Sequence, residues 1–325
     1  MAYVVLLNWN GYRDTIECLE SLLPILSDFD GVILCDNASS DGSVEHISEW
    51  VKSSFPAWGP IVLDRVTAES MVVPEPRRVY LIRNGANLGF AGGNNVGLRL
   101  ALRDPECRYA WLLNNDTTVD ARSLPAAVAR MEQDPDLGIC GSTLVYFHQR
   151  DVVQAFGGAE YSRLTGRSRH VGAFLPISRV PESPEAVERE MSYVVGAAML
   201  VSRAFLEQIG LMREDYFLYC EELDWAIRGA GRFRLGYAPQ SVVWHKEGAS
   251  IGTSANGGSP VSVFYLFRNR VRVSARYFWW CLPGVLAFCA LDIAKLVARR
   301  RWPQALAAMR GVCQMARPCP RAQEA

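Results

Sequence analysis

Four short apolar runs, at residues 4–7, 32–34, 79–82 and 110–113, each break off into polar residues. This repetition constrains the fold more than anything else in the chain. The runs end in Asn8 and Asn10, in Asp36 and Asn37, in Asn84 and Asn87, and in Asn114, Asn115 and Asp116. Runs of this length, bounded by turn-forming residues, read as strands. Between them Ile16, Leu19, Leu22, Leu23 and Leu26 follow helical spacing, and residues 43–51 and 94–102 are long enough for further helices. Strands that alternate with helices build a parallel sheet covered by helices. In such a sheet the ligand crevice lies beyond the carboxyl ends of the strands, so the polar ends should converge on one edge and form a nucleotide-sized site.

The 325 residues, half of them hydrophobic, suffice for a large core in one big domain or two unequal ones. The 34 basic and 34 acidic residues balance, which argues against a nucleic-acid binder that works through a general positive field. The nine cysteines are scattered, with no CxxC pair and no Cys/His cluster at zinc spacing. They read as reduced, mostly buried thiols of a cytoplasmic protein. The chain opens directly into its first strand with no basic region or cleavage signal, so secretion is not expected.

Several segments carry a resemblance: Val4-Val5-Leu6-Leu7-Asn8-Trp9-Asn10-Gly11, Asp36-Asn37-Ala38-Ser39-Ser40-Asp41-Gly42-Ser43, Asn87-Leu88-Gly89-Phe90-Ala91-Gly92-Gly93-Asn94-Asn95 and Leu113-Asn114-Asn115-Asp116. In this order they resemble the family 2 glycosyltransferases, in particular the rhamnosyltransferase-like branch. Gly196-Ala197-Ala198-Met199-Leu200, Phe217-Leu218-Tyr219-Cys220-Glu221-Glu222-Leu223-Asp224-Trp225 and Trp244-His245 extend the match over residues 3 to 270. The resemblance implies an α/β fold of GT-A type, with a mixed, mostly parallel sheet flanked by helices. It also implies a nucleotide-sugar donor, a divalent metal (Mg2+ or Mn2+) and inversion at the anomeric carbon. Residues 1–270 would form the catalytic domain, with 1–120 binding the nucleotide and 121–270 serving the acceptor and catalysis. Residues 271–325 would form a helical extension. Donor contacts are expected from Asn8, Asn10, Asp36, Asn37, Asn87, Gly92, Asn94, Asn115, Asp116 and Arg268.

Each piece also has a plainer reading. Asp36 could accept a hydrogen bond from the N3–H of uracil or thymine, which cytosine cannot supply, and the resemblance gives it that role. Alternatively residues 36–42 are a polar turn in which Asp41 caps the next helix. Gly89, Gly92 and Gly93 stand ahead of a helix, where backbone can approach a ligand and Asn94 or Asn95 can cap, or they serve packing alone. Their spacing is not GxGxxG and they follow the third strand, which argues against a dinucleotide fingerprint. Asp116 is the expected metal ligand, since magnesium and manganese bind through one or two carboxylates completed by phosphates and water. Asn114 stands where the usual DxD motif has its first aspartate. His245 follows residues 241–244, which read as a short strand; by resemblance it completes the metal–diphosphate site, although imidazole suits a hydrogen-bonded core position equally well.

Glu221, Glu222 and Asp224 crowd three carboxylates into four positions. An inverting transfer needs a base to take the acceptor hydroxyl proton, and alignment with the family's acidic pair points to Glu222, with Glu221 as competitor. Asp224 orients neighbours or caps a helix, and an acidic helix start favoured by the dipole is the plain alternative. Arg268 and Arg270 could meet the diphosphate or belong to an arginine-rich helix surface. Residues 53–78, with four prolines, read as an insertion, and 161–190 as a mobile flap near the acceptor. Residues 277–291 are apolar, with Trp279 and Trp280 first and Arg299-Arg300-Arg301 beyond. That is short for a membrane span; an interfacial or re-entrant hairpin through 277–301 fits better and would go with a lipid-linked acceptor, the plainer reading being a helical hairpin packed on the catalytic domain or on a second subunit. Residues 317–325 read as a disordered tail. The expected enzyme transfers a sugar, rhamnose foremost, from a dTDP- or UDP-sugar to a hydroxyl of a glycan or lipid-linked acceptor in cell-surface polysaccharide synthesis, on the cytoplasmic side of the membrane. A nucleotidyltransferase of related fold and a non-catalytic sugar-nucleotide-binding subunit are the alternatives.

Overall fold

A computed structural model describes residues 1–70, 73–246 and 258–315; the tail at 317–325 lies outside them. The first half alternates as expected: β1 (Ala2–Asn8), α1 (Tyr12–Leu22), β2 (Gly31–Asp36), α2 (Ser43–Ser54), β3 (Pro60–Asp64), α3 (Arg65–Ser70), β4 (Val79–Arg83), α4 (Gly89–Leu102) and β5 (Tyr109–Asn114). The second half comprises β6 (Thr117–Val119), α5 (Ser123–Gln133), β7 (Leu137–Tyr146), β8 (Gln149–Phe156), β9 (Gly158–Ser162), β10 (Arg167–His170), α6 (Glu185–Glu190), β11 (Tyr193–Val194), β12 (Ala198–Ser202), α7 (Arg203–Ile209), α8 (Glu221–Gly229) and β13 (Arg234–His245). Among the described residues three helices follow: α9 (Pro260–Tyr277), α10 (Leu282–Ala298) and α11 (Trp302–Cys313).

Ten strands form the main sheet, in the order β3-β4-β2-β1-β5-β12-β7-β13-β6, with β8 on β7. The five strands from β3 to β5 are mutually parallel. Strand β12 is antiparallel to both neighbours, and β6 is antiparallel to β13. Side chains of a strand alternate between faces, and here both faces are covered. In β1, Val4 and Leu6 enter a core with Leu19 and Ile47, whereas Val5 packs with Leu98 and Tyr3 with Val96. Continuous apolar runs are what a sheet buried on both sides requires. The parallel register sets Asn8 beside Asp36, Asp36 beside Arg83, and Leu7 beside Asn114. The polar strand ends are therefore level along one edge.

The structure departs from the sequence reading in five places. Residues 53–78 are not merely an insertion, because they contain the edge strand β3 and helix α3. Helix α4 starts at Gly89 rather than Asn94. The short strand expected at 241–244 is the end of twelve-residue β13, whose register with β7 shifts between Ala238 and Val242. The expected flap at 161–190 is built into β9, β10 and α6, and Val171 and Val187 pack with Phe156 and Tyr237. Finally, residue 270 lies inside α9, so the helical extension has no seam there.

Candidate active site

At the sheet edge the side chains hold one another. Asp36, 3% exposed, accepts from the Ser39 N–H (2.9 Å), the Ser39 hydroxyl (2.6 Å) and Asn8 Nδ2 (2.8 Å). A carboxylate offers about four acceptor positions, so one remains for a ligand N–H. Asn8 Oδ1 in turn accepts from Thr15 and Asn115. Asn10, exposed, accepts from the Ser40 N–H at 2.7 Å and ties the β1 loop to the β2 loop. Asn37 Nδ2 donates to the Gly89 carbonyl and to Asn87 Oδ1, which fixes its amide; its Oδ1 then accepts from Asn84 Nδ2 at 2.8 Å. That leaves the buried Asn84 Oδ1 with no partner. A lone buried acceptor beside Asp36 suits a ligand that brings a donor.

The glycine run serves packing. A methyl at Gly93 would lie 2.3 Å from Leu7 Cδ1 and 2.9 Å from Asn37 Oδ1, so glycine there lets α4 close on β1. Gly92 faces Leu88 and Glu214. Asn94 bonds inside its own helix to the Phe90 carbonyl, and Asn95 holds Met212 by both backbone groups. Neither caps the helix. Just ahead of the helix, Asn87 Oδ1 accepts from the Gly89 N–H at 3.0 Å. Asp41 accepts from the N–H of Ser43, the first residue of α2.

Strand β13 brings His245 to Asp116 across 129 positions of sequence. The imidazole Nε2 lies 3.2 Å from Asp116 Oδ1 and 3.4 Å from Asn114 Nδ2. On its far side Nδ1 faces Gln154 Oε1 at 2.9 Å, which can accept the Nδ1–H and so free Nε2 to offer its lone pair to a cation. Metal-ligating histidines are held in the same way. Burial pushes the Asp116 carboxyl up, but His245 and Lys246 outweigh it and the group sits below its ordinary range. Two acceptors this close require a proton or a cation between them. Among the described residues no cluster of three or more His, Cys, Asp or Glu forms a metal cage. One carboxylate with one imidazole still fits Mg2+ or Mn2+ when phosphates and water supply the rest.

The acidic segment enters through a strained turn. Phe217, Tyr219 and Cys220 have φ of 66°, 69° and 71°, a region costly for residues with side chains. Two contacts hold it. The Phe217 carbonyl accepts from the Phe90 N–H at 2.7 Å, and Asn269 of α9, fully buried, donates to the carbonyls of Tyr216, Leu218 and Tyr219 at 2.8, 2.7 and 3.0 Å. Behind the turn Glu221, 1% exposed, keeps Oε2 without a partner. Burial and then the charge of Glu222 push its carboxyl well above the ordinary range.

Glu222 is partly exposed, and burial pushes it up to about 7 against the opposing pull of the Gly196 N–H and its own. A methyl at Gly196 would lie 2.4 Å from Glu222 Oε1, so the carboxylate rests directly on the backbone ahead of β12. Asp224, fully buried, accepts from Tyr216, Tyr277 and Arg228 at 3.1, 2.7 and 2.8 Å. It anchors α8 to α9 and presents nothing to a substrate.

Arg268 and Arg270 do not join this edge. Arg268, 1% exposed, donates to the Asp215 carbonyl, and Arg270 to the Thr165 carbonyl and Asp292. Sequence reasoning missed Gln154 and Asn269. Gln154 left one trace, a lone polar residue in the apolar stretch 152–156.

Residues 3–210 match the model of the family described as glycosyl transferase family 2. Among curated proteins, a low-salt glycan biosynthesis hexosyltransferase of Haloferax volcanii is 24% identical over 62% of this chain; the chain spans 61% of that relative. The N-acetylglucosaminyl-diphospho-decaprenol L-rhamnosyltransferase of Mycobacterium tuberculosis is 25% identical over 68% of each. Among solved structures, GalNAc-T7 with UDP, GalNAc and Mn2+ aligns with TM-score 0.58 at 16% identity, over 85% of this chain and 47% of that one. The mannosyltransferase PcManGT of Pyrobaculum calidifontis with GDP-Man and Mn2+ aligns with TM-score 0.55 at 14% identity, over 97% and 86%. The fold is thus GT-A.

Proposed function

The chain belongs to glycosyl transferase family 2, and on that premise we propose an inverting, cation-dependent transferase of a dTDP- or UDP-linked sugar. Membership supports a glycosyltransferase over a nucleotidyltransferase or a non-catalytic binding subunit. The observation that carries the mechanism is Glu222: partly exposed, pushed up to about 7, and held at the start of α8 against the Gly196 backbone ahead of β12, the strand that pairs with β5. Its carboxylate takes the proton of the acceptor hydroxyl while that oxygen bonds to the anomeric carbon. The bond from that carbon to the diphosphate oxygen breaks, and its electron pair leaves with the nucleoside diphosphate through an oxocarbenium-like state. A divalent cation held by Asp116 and His245 would supply positive charge to the departing diphosphate. Asp36, with one acceptor position left, suits the N3–H of a uracil or thymine base.

Rhamnose is the leading donor sugar and a glycan or lipid-linked glycan the acceptor class. Both rest on the likeness to the mycobacterial rhamnosyltransferase and on the motifs of that branch. All eight described cysteines are free, which suits a cytoplasmic setting. Calorimetric titration with UDP, dTDP, GDP and CDP, each with manganese and with chelator, tests the proposal. UDP or dTDP alone should bind, and only with manganese. Equal binding of all four, or none by folded protein, would sink it.

A further inference from the structure

The outward face of the last two helices is apolar where a soluble protein's would be polar. Along α10 the exposed positions are Pro283, Leu286, Ala287, Ala290, Leu291, Ala294, Lys295 and Ala298, one helical stripe with a single charge. Along α11, Trp302, Pro303, Leu306, Met309, Arg310 and Cys313 repeat the pattern, again with a single charge. Trp279, Trp280 and Trp302 are 70%, 59% and 61% exposed. The segment Trp279–Ala298 has a mean hydropathy of 1.9 over its most apolar window, of which only 17% is buried. A core helix of that composition would be covered, and tryptophan concentrates at the boundary between hydrocarbon and water.

We propose that this face lies in the surface of an anionic lipid bilayer, with the three tryptophans at headgroup depth and Arg299-Arg300-Arg301 against the lipid phosphates. Charge selects the lipid. Residues 277–315 hold five basic side chains and one acid, Asp292, and that acid turns inward to Arg270 (2.9 Å) and Arg167 (3.1 Å). A second copy on the same face would bring two such basic clusters together. The same ion pairs distinguish lying on a membrane from crossing it. They tie the middle of α10 to α9 and β10, while Val285 and Cys289 pack against Phe267 and Val271. Crossing would strip α10 from the catalytic domain and carry an unpaired carboxylate into hydrocarbon. The β9–β10 turn joins the surface: a methyl at Gly284 would come within 2.8 Å of the Leu164 carbonyl, and the Leu164 side chain is 67% exposed.

The test floats purified full-length protein with zwitterionic vesicles and with vesicles containing phosphatidylglycerol. It uses no donor or acceptor, so it stands apart from the transfer reaction. The protein should float with the anionic vesicles, and high salt should release it. Replacing Arg299, Arg300 and Arg301 together by alanine should weaken partition about a hundredfold, each arginine near the surface being worth about fivefold. Trp279→Ser with Trp280→Ser and Trp302→Ser should abolish it and leave transfer to a soluble acceptor intact. Folded protein that stays with neither vesicle overturns the proposal. So does a dimer that the tryptophan variant converts to monomer without any vesicle binding. Alkali-resistant insertion with α10 protected from protease would show a spanning helix instead.

Discussion

With its carboxyl at about 7, Glu222 is roughly half ionised at neutral pH, and only the ionised form can accept the hydroxyl proton. The rate below saturation should therefore rise with pH through about 7 and level off above it. A fall across that window would exclude Glu222 as base. Stability runs the other way. Between the usual carboxylate range and about 7 the folded state holds the proton more tightly than the unfolded chain, so raising pH through that window weakens the fold. Glu222→Gln should lower kcat roughly 10²–10⁴-fold while calorimetry shows donor binding unchanged. Gly196→Ala would push a methyl into Glu222 Oε1 and should also lower kcat without altering donor affinity. Gln154→Leu removes the partner of His245 Nδ1, and manganese affinity in the presence of UDP should drop roughly 10–100-fold. The Asp116 and Glu222 segments stood out in the sequence because each concentrates several polar groups beside an apolar run. Gln154 and Asn269 act singly, from segments far from what they hold, and only the folded chain reveals their targets.

The parallel strands were legible as elements because burial on both faces forces continuous apolar runs. Strand β3 was not: among the described residues it pairs with β4 alone, begins at Pro60, and leaves Val62 42% exposed, so its short apolar run, residues 61–63, lies partly in solvent. The early start of α4 was hidden by glycines that disfavour helix in isolation and are accepted because they let the helix meet β1. The turn before α8 depends on α9 in a way no local signal shows. Asn269→Leu would remove the side-chain amide that donates to the carbonyls of Tyr216, Leu218 and Tyr219, a cost of about 2 kcal/mol or more. Denaturant unfolding should register that loss. In the protein that remains folded, kcat should fall more than donor KM rises, because the turn carries Glu221 and Glu222 and no donor contact.

On the scale of the whole molecule, α9 joins two layers. Asn269 near its middle holds the catalytic turn, Tyr277 at its end bonds Asp224, and α10 and α11 pack along it. Removing residues 279–315 should therefore do more than improve solubility. It uncovers Phe267 and Val271 and should lower the unfolding midpoint together with activity toward any acceptor. Between α9 and the exposed apolar face lies one layer of helix, α10 and α11, with axes on the order of 10 Å from that of α9. With lipid against α10 and α11, that layer would act as a ruler: its thickness would set the height above the bilayer at which a hydroxyl is activated. Acceptors that place their hydroxyl at one height should be glycosylated, and the same sugar on shorter or longer stalks passed over. A series of acceptors graded in spacer length, embedded in vesicles, should show a peaked rate, and detergent should flatten the peak.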